Sequence, residues 1–258
     1  MAAIFFDIDG TLWDRENVIP ESTKIAIKEL RKNGHLTFMC SGRSRIMIKG
    51  EHLHALGFDG ILAGCGTYIE YKEEVKLAVE LEPEILRKAI YLLQEHNMPI
   101  LIEGINELFM DEDLIKTGYG SYLKKLLEEW AYPLEGNDAI WRGSKISTLI
   151  NGADYHTVMS ALGEDYDFMD HSGHVMEMVP KGYSKASGIQ AVCEMLGIDH
   201  ADTYAFGDSI NDVEMLEYVA HGVAMGNGTE AAKAAADYVT TDIHADGIYN
   251  GLKHFGLI

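Results

Sequence analysis

Basic residues are scarce in this sequence: 21 lysines and arginines stand against 41 aspartates and glutamates, a formal net charge of −20. Binding a nucleic-acid backbone needs clustered Lys and Arg, and none cluster here, so nucleic acid is excluded as an expected partner. The deficit leaves room for a small anionic substrate, whose charge one Mg²⁺ and one or two placed cations balance locally. Most of the acid excess reads as solvated surface. Cysteine is scarce too. Cys40, Cys65 and Cys193 are odd in number, far apart and without a CxxC pair, which excludes a disulfide framework and zinc-site spacing. They read as buried thiols of a reducing compartment. Long hydrophobic runs are missing, since no stretch approaches the roughly 20 apolar residues that span a bilayer. The N-terminus lacks the basic region, apolar stretch and small-residue cleavage site of a signal peptide. A cytoplasmic protein with no membrane partner is expected. No internal repeat or low-complexity tract is visible, and nothing in the pattern speaks to oligomeric state.

What is present is an ordinary globular composition, 47% hydrophobic and 24% charged over 258 residues, enough for one large α/β domain or a core with an insert. "AIFF" (residues 3–6) reads as a strand that runs into two acids. "PESTKIAIKELRKNGH" reads as a helix, with Ser22 or Thr23 as cap, Ile25, Ile27 and Leu30 as its apolar face, and Gly34 as its stop. "HLTFMC" is a short strand, a helix follows to about Gly57, and "DGILAG" is another strand. Alternation of this kind predicts a parallel sheet with helices on both faces. From about 81 to 182 the texture changes to helix-plus-strands units: a helix over 84–96, strands "PILIEG" and "ELFMD", a helical segment around 122–130, the strand "KISTLING", a helix near 155–162, and strands "YDFMD" and "HVMEMV". The last segment returns to helix and strand in alternation. The chain is therefore expected to hold a discontinuous core (1–80 and 183–258) with an α+β domain (81–182) inserted in it.

Four features fall at the predicted C-terminal ends of core strands or at a helix start, where open α/β sheets bind ligands. They are Asp7 and Asp9 after the first strand, Ser41 after "TFMC", Lys185 at a helix start, and "GDSIND" (207–212) after "TYAF". Singly, each is what an ordinary turn or solvated helix end provides; the ordered set over some 200 residues fits one reaction. A carboxylate attacks phosphorus to give an aspartyl-phosphate, splitting a hard hydrolysis into two steps. Repulsion between that anion and the phosphate calls for a divalent cation, and Mg²⁺ suits a site of carboxylates and phosphate oxygens. Asp208, with Asp212 near it, is placed to serve the metal. Ser41 and Lys185 would hold phosphoryl oxygens, and Asp9 would protonate the leaving alkoxide and then deprotonate water.

These residues, "DIDGTL", "SGR", the Lys185 helix and "GDSIND", resemble the four motifs of the haloacid dehalogenase-like phosphatases. Their order and the mid-chain insert resemble the Cof-type members with a type IIB α+β cap. The resemblance covers nearly the whole chain. It implies an α/β, Rossmann-like core with a parallel sheet flanked by helices, an inserted cap that closes over the crevice and selects the leaving group, and Mg²⁺-dependent hydrolysis of phosphate monoesters. It implies that Asp7 is nucleophile and metal ligand, and that Asp9 is the acid/base and binds metal through its main-chain carbonyl. It also implies that Ser41, Gly42 and Lys185 hold the phosphoryl group, that Asp208 is a metal ligand, and that Asn211 touches phosphoryl group or substrate. Asp212 supports the metal or Lys185, with Thr11 a further supporting residue. Relatives that keep their phosphoenzyme for transport carry Thr where Asp9 stands, so Asp9 implies turnover. One departure is "GCGTYIE" (64–70), which has Cys65 where many Cof-type sequences have Asn, so substrate preference is not carried across that position.

The expected substrate is a small phosphorylated metabolite, a sugar phosphate or a relative. Two other readings remain open: a sugar phosphomutase, and a non-catalytic regulator that binds phosphometabolites. "HSGH" (171–174) reads as a polar turn, with room for His171 or His174 to touch substrate. "MGNG" (225–228) reads as a tight strand-to-helix turn rather than a phosphate loop. Trp13 and Trp141 read as packing residues.

Overall fold

The structure, a computed structural model, describes residues 1–150, 152, 154–171 and 173–258, with the side chain of His171 excepted. The "HSGH" reading thus falls largely outside the described residues, while His174 is exposed. Two compact units divide the chain: unit 1 is Met1–Arg43, Ile48–Leu77 and Ser184–Ile258, and unit 2 is Ser44–Met47 and Ala78–Tyr183.

Unit 1 opens with β1 (Ala3–Phe6), α1 (Glu21–Lys32), β2 (Leu36–Cys40), α2 (Glu51–His54), β3 (Gly60–Ala63), β4 (Tyr68–Tyr71) and β5 (Glu74–Ala78). Unit 2 contributes α3 (Pro83–Glu95), β6 (Ile100–Glu103), β7 (Leu108–Met110), α4 (Glu112–Ile115), α5 (Gly118–Leu126), β8 (Ala131–Pro133), β9 (Lys145–Leu149), α6 (Tyr155–Leu162), β10 (Tyr166–His171) and β11 (Val175–Pro180). The chain then closes unit 1 with α7 (Lys185–Leu196), β12 (Thr203–Gly207), α8 (Val213–Tyr218), β13 (His221–Ala224), α9 (Glu230–Ala235), β14 (Tyr238–Val239) and α10 (Gly247–His254).

The unit 1 sheet runs β14-β13-β12-β1-β2-β3-β4-β5. It is parallel from β14 to β3, and β4 pairs antiparallel with β3. This is the α/β, Rossmann-like architecture expected from the alternating elements. β1 lies between β12 and β2, and all four of its residues are fully buried. A parallel strand covered on both faces reads as an unbroken apolar run rather than an alternating one. Successive residues still point to opposite sides. Ala3 and Phe5 join a cluster with Ile189, Val192 and Met215 of α7 and α8, while Phe6 stacks on Phe206 at 5.2 Å.

Local departures from the sequence expectation have local causes. α1 starts at Glu21 with Pro20 as its cap residue, so Ser22 and Thr23 lie in the first turn and neither caps. Proline lacks the N–H that a helix start leaves unused, and its fixed φ suits the entry. The buried stripe is Thr23, Ala26, Ile27 and Leu30, spaced i, i+3, i+4, i+7 as a helix demands, and Ile25 is 47% exposed. The helix expected up to Gly57 is instead a 3-10 turn (Arg45–Met47) and the one-turn α2, with Gly50 between them at φ 131°. The β4–β5 hairpin, absent from the sequence reading, turns on Lys72 (φ 50°) and Glu73 (φ 65°). Two consecutive positive φ values make the tight hairpin turn that usually advertises itself by Asn-Gly.

The unit 2 sheet runs β10-β11-β9-β6-β7-β8 and is antiparallel apart from β7 with β8. One face carries Ile100, Ile102, Ile146, Met176 and Met178, packed with Leu86, Ile90 and Leu93 of α3 and Val158 and Leu162 of α6. Leu101, Leu108, Met110 and Leu149 pack instead with Leu114, Leu123, Leu127, Ile46 and Met47. That contact is why Ser44–Met47 group with unit 2 although they precede it in sequence by some thirty residues. The helical segment expected at 122–130 lies earlier, as α5, because Thr117 caps it by accepting the Gly120 N–H at 3.0 Å. Among the described residues, no helix is long and apolar enough to cross a membrane.

Candidate active site

Parallel register brings the motifs to one end of the unit 1 sheet. Phe6 lies opposite Met39 on one side and Phe206 on the other, so Asp7, Ser41 and Asp208 all leave the sheet at its C-terminal edge. The Asp7 N–H donates to the Phe206 carbonyl at 2.9 Å, prolonging the ladder by one residue. The chain then folds tightly, with the Leu12 and Trp13 N–H groups donating to the Ile8 carbonyl at 3.0 and 3.1 Å. Gly10 sits in this turn at φ +85°, and a Cβ there would collide with the Asp208 carboxylate. Glycine is therefore what allows Asp208 to approach the Asp7 loop.

Lys185 arrives from α7, whose start is fixed by a capping box. Ser184 Oγ accepts the Ser187 N–H at 3.3 Å, and Ser187 Oγ accepts the Ser184 N–H at 2.9 Å. Such reciprocal caps satisfy two donors that a helix start would leave unpaired. Gly66 (φ +85°) follows β3 and lies against this start, where a side chain would strike the Ser184 carbonyl.

The side chains then meet. Lys185 Nζ donates to Asp7 Oδ1 at 2.6 Å and to Asp212 Oδ1 at 2.5 Å, and all three residues are buried. Asp212 Oδ2 accepts the Asp208 and Ser209 N–H groups, each at 2.9 Å, and the Ser209 hydroxyl at 3.3 Å. Both of its oxygens are engaged, so Asp212 anchors the ammonium and the "GDS" turn. Thr11 Oγ1 donates to Asp208 Oδ1 at 3.0 Å. One oxygen each from Asp7, Asp208 and Asp212 lie within 4.8 Å of one another, a hard-oxygen set of the type that holds Mg²⁺ or a similar cation.

Three acids face one ammonium here, and burial exacts its cost. Burial first, then the Asp212 charge, pushes the Asp7 carboxyl well above its ordinary value, against the pull of Lys185. Asp208 is pushed up to about 7 by burial and by Asp212, with the Thr11 hydrogen bond opposing. Burial acts to lower Lys185, but the charges of Asp212 and Asp7 outweigh it and raise the ammonium above its ordinary value. Burial pushes the Cys40 thiol up, so it stays neutral.

Asp9 is arranged differently. Its carboxylate lies outside the Asp7–Asp208–Asp212 group and is half exposed. Arg43 grips it through Nε to Oδ2 at 2.6 Å and Nη2 to Oδ1 at 2.7 Å, and Trp13 Nε1 donates to Oδ1 at 2.9 Å. The Arg43 guanidinium also lies over the Trp13 ring, 5.4 Å from its centroid. Trp13, expected as a packing residue, is buried and also positions Asp9. Ser41 and Gly42 are both buried, with Ser41 Oγ accepting the Arg43 N–H at 3.2 Å. Asn211 Oδ1 accepts from Ser209 Oγ at 2.6 Å, so in this state it faces the turn.

Two residues went unnoticed in the sequence. Arg43 looked like the end of a turn motif. Asn227, within the discounted "MGNG" turn, donates from Nδ2 to the Gly10 carbonyl at 2.8 Å and accepts the Ile243 N–H at 2.9 Å. It thereby ties the Asp7 loop to the segment after β14. No local pattern announces either role, because their partners lie 34 and 217 positions away.

The profile of the haloacid dehalogenase-like hydrolases matches residues 4–252. YkrA of Bacillus subtilis (strain 168) is 35% identical over 99% of this chain and 98% of its own length. The 5-amino-6-(5-phospho-D-ribitylamino)uracil phosphatase YitU of the same organism is 27% identical over 98% of this chain and 96% of its own. Among solved structures, the HAD subclass IIB sugar phosphatase BT4131 superposes with a TM-score of 0.86 at 27% identity, covering all of both chains. The chain belongs to the haloacid dehalogenase-like hydrolases, and it is a phosphatase of that superfamily with the subclass IIB fold.

Proposed function

We propose that the protein is a Mg²⁺-dependent phosphatase of small phosphate monoesters, sugar phosphates or related cytoplasmic metabolites, acting through an aspartyl-phosphate on Asp7. The observation that carries this reading is the buried meeting of Asp7, Lys185, Asp208 and Asp212, with Lys185 bonded to an acid 178 positions away. In this reading unit 1 is the catalytic core and unit 2 the cap that selects the leaving group. The ribityl phosphate in the name of YitU and the sugar phosphatase similar in structure support a hydroxyl-rich substrate.

The donor set fits a magnesium ion on its own chemistry: buried carboxylates outnumber the ammonium, and both Asp7 and Asp208 are pushed toward protonation. Asp7, Asp208 and the Asp9 main-chain carbonyl would hold the ion, while Asp212, with both oxygens engaged, holds Lys185. Bound there, Mg²⁺ supplies positive charge against the phosphoryl oxygens.

The chain's own residues do the rest. An Asp7 carboxylate oxygen attacks phosphorus as the ester P–O bond breaks, and the leaving alkoxide takes a proton from Asp9. Asp9, now a carboxylate, takes a proton from the water that attacks the same phosphorus, releasing phosphate and restoring Asp7. Lys185, Ser41 and Gly42 hold the phosphoryl oxygens, and Asn211 reaches the phosphoryl group or substrate. An ionised carboxylate accepts hydrogen bonds and gives none, so Asp9 must leave the Arg43 fork before it can carry a proton.

Chelation tests the metal. Protein stripped with EDTA is expected to release no phosphate from p-nitrophenyl phosphate, and Mg²⁺ to restore turnover. At about a hundredfold excess over Kd the ion adds about 2.7 kcal/mol, seen as a Tm higher by several degrees. Full turnover in EDTA with no Tm response to Mg²⁺ rules the ion out. A panel of phosphorylated metabolites tests the reaction itself: inorganic phosphate marks the hydrolase, an isomeric sugar phosphate a mutase, and binding without turnover a regulator.

A further inference from the structure

Within unit 1, away from the catalytic acids, α1 and α2 border a groove of about 440 Å³ lined by Lys24, Lys28, Arg31, His52, Ala55 and Leu56. The three cations lie on α1 at positions i, i+4 and i+7, the spacing that stacks side chains on one helix face. In the linear sequence they are spread over eight residues with Glu29 among them, so only the helix gathers them. The other three residues belong to α2 and the turn after it.

The charge of this groove runs against that of the molecule. The chain carries 41 acids and 21 bases, yet no acid lines the groove. Like charges three and four residues apart on a helix repel each other, and an acid alongside is the ordinary remedy. Lys24 has one, with Glu21 Oε2 at 3.1 Å. Glu29, next to Lys28, instead meets Lys32 at 3.6 Å. Among the described residues, no ion pair engages Lys28 or Arg31. A face built only for solvation would mix the signs, as these two pairs on the same helix do. Room is also kept for Arg31: Gly57 sits at φ +73°, and a Cβ there would fall 2.6 Å from the guanidinium Nη1. At the other wall, the His52 ring stands 5.5 Å from the Trp13 ring, which brings the groove up to the loop that carries Asp9.

The row of cations points to an anion, and its length to an anion of more than one charge centre. Lys24 and Arg31 are about 10 Å apart along the helix axis. A single phosphate meets the cations of one turn, whereas a molecule with several phosphoryl groups matches the row. The volume lies in the range of small-molecule sites. A long polyanion would meet the repulsion of a chain with net charge −20 beyond the groove.

We propose that this groove is a second anion site, separate from the Asp7 centre, for a soluble metabolite carrying more than one phosphoryl group. Lys28 and Arg31 hold the phosphoryl oxygens, with Lys24 and His52 at the margins.

The test is calorimetric titration of the full-length, metal-free protein, dialysed free of chelator, with tripolyphosphate and with orthophosphate. Without Mg²⁺ the catalytic acids outnumber Lys185 and repel anions, so binding reports the groove. Tripolyphosphate is expected to occupy one site and to bind at least about tenfold more tightly than orthophosphate, the worth of one added charge-assisted hydrogen bond. Lys28→Gln combined with Arg31→Gln should weaken it by about tenfold or more, with turnover of p-nitrophenyl phosphate in Mg²⁺ at the native level. Lys32→Gln, which changes the net charge outside the groove, should leave the affinity within about twofold. Melting curves show that each variant is folded; should the double variant not fold, Lys28→Gln alone should still weaken binding several-fold. No binding of tripolyphosphate overturns the proposal, as does equal affinity in the native and Lys28/Arg31 proteins or an equal loss in Lys32→Gln. A decathymidylate that binds through Lys28 and Arg31 as tightly as tripolyphosphate overturns the assignment to a small anion. Failure of the phosphatase reading would show separately, as absent turnover in Mg²⁺ with this binding intact.

Discussion

Asp7→Asn is expected to reduce phosphate release by at least about 10⁴-fold, because it removes the attacking oxygen and leaves only binding and charge stabilisation. The substitution is nearly isosteric, so the geometry around it should survive. Asn can still present Oδ1 to Lys185, which bonds Asp7 Oδ1 at 2.6 Å and Asp212 Oδ1 at 2.5 Å. The charge balance predicts an unusual companion result. Asp7 is buried among Asp212 and Asp208 with a carboxyl held well above its ordinary value, so its ionised form is disfavoured in the folded state. Removing that charge should leave the Tm of metal-free protein unchanged or higher at neutral pH, while the Mg²⁺-induced rise in Tm shrinks. A dead variant that melts no lower separates loss of the nucleophile from loss of the fold. Retention of more than a few per cent of native kcat in Asp7→Asn would remove Asp7 from the attacking role and point to direct attack by water.

How well the site can be read from the chain depends on whether a residue's partner is local. β1 is an apolar run into Asp7, and α7 begins with its own cap two residues after Gly182, so both elements are visible in short windows. Asp208 and Asp212 share one turn, and their spacing carries the motif. Arg43 and Asn227 act on residues 34 and 217 positions away, and neither sits in a pattern that differs from an ordinary turn. The β4–β5 hairpin escapes for another reason: Lys72 and Glu73 adopt positive φ without the Asn or Gly that usually marks it. Cys65 also sits at positive φ, 54°, in a buried loop between Gly64 and Gly66. Asn enters that backbone region far more readily than Cys, so nothing in the residue type at 65 announces the turn. In unit 2, Glu103 ends β6, Lys145 begins β9 and Glu177 lies within β11, so no short window shows that they meet. Only the register across β6, β9 and β11 makes them one cluster.

Lys185→Met should cost both activity and stability, and the pH dependence of the second loss identifies its cause. The ammonium is fully buried between two carboxylates. Methionine fills much of the same volume but leaves Asp7 and Asp212 facing each other without a cation. Breaking a buried pair by removing one partner typically costs about 3–5 kcal/mol. Asp7 can escape that cost by taking up a proton. Its folded-state affinity for protons, already raised by burial, rises further once Lys185 no longer lowers it. A raised folded pKa on an acid gives stability that is complete below the unfolded value near 3.9 and is lost as pH rises through the folded value. The variant should therefore melt closest to the native protein at pH 5 and furthest below it at pH 8. Mg²⁺ should recover part of the Tm at pH 8, because the cation restores positive charge between the carboxylates of Asp7 and Asp208. Activity should stay down by about 10²–10³-fold even with saturating Mg²⁺, the usual cost of losing one preorganised donor to a developing anion. Melting curves at the two pH values, with and without Mg²⁺, check the first part, and kcat at saturating metal checks the second. An equal Tm loss at pH 5 and pH 8 would mean that packing around the side chain, rather than its charge, is what Lys185 contributes to the fold.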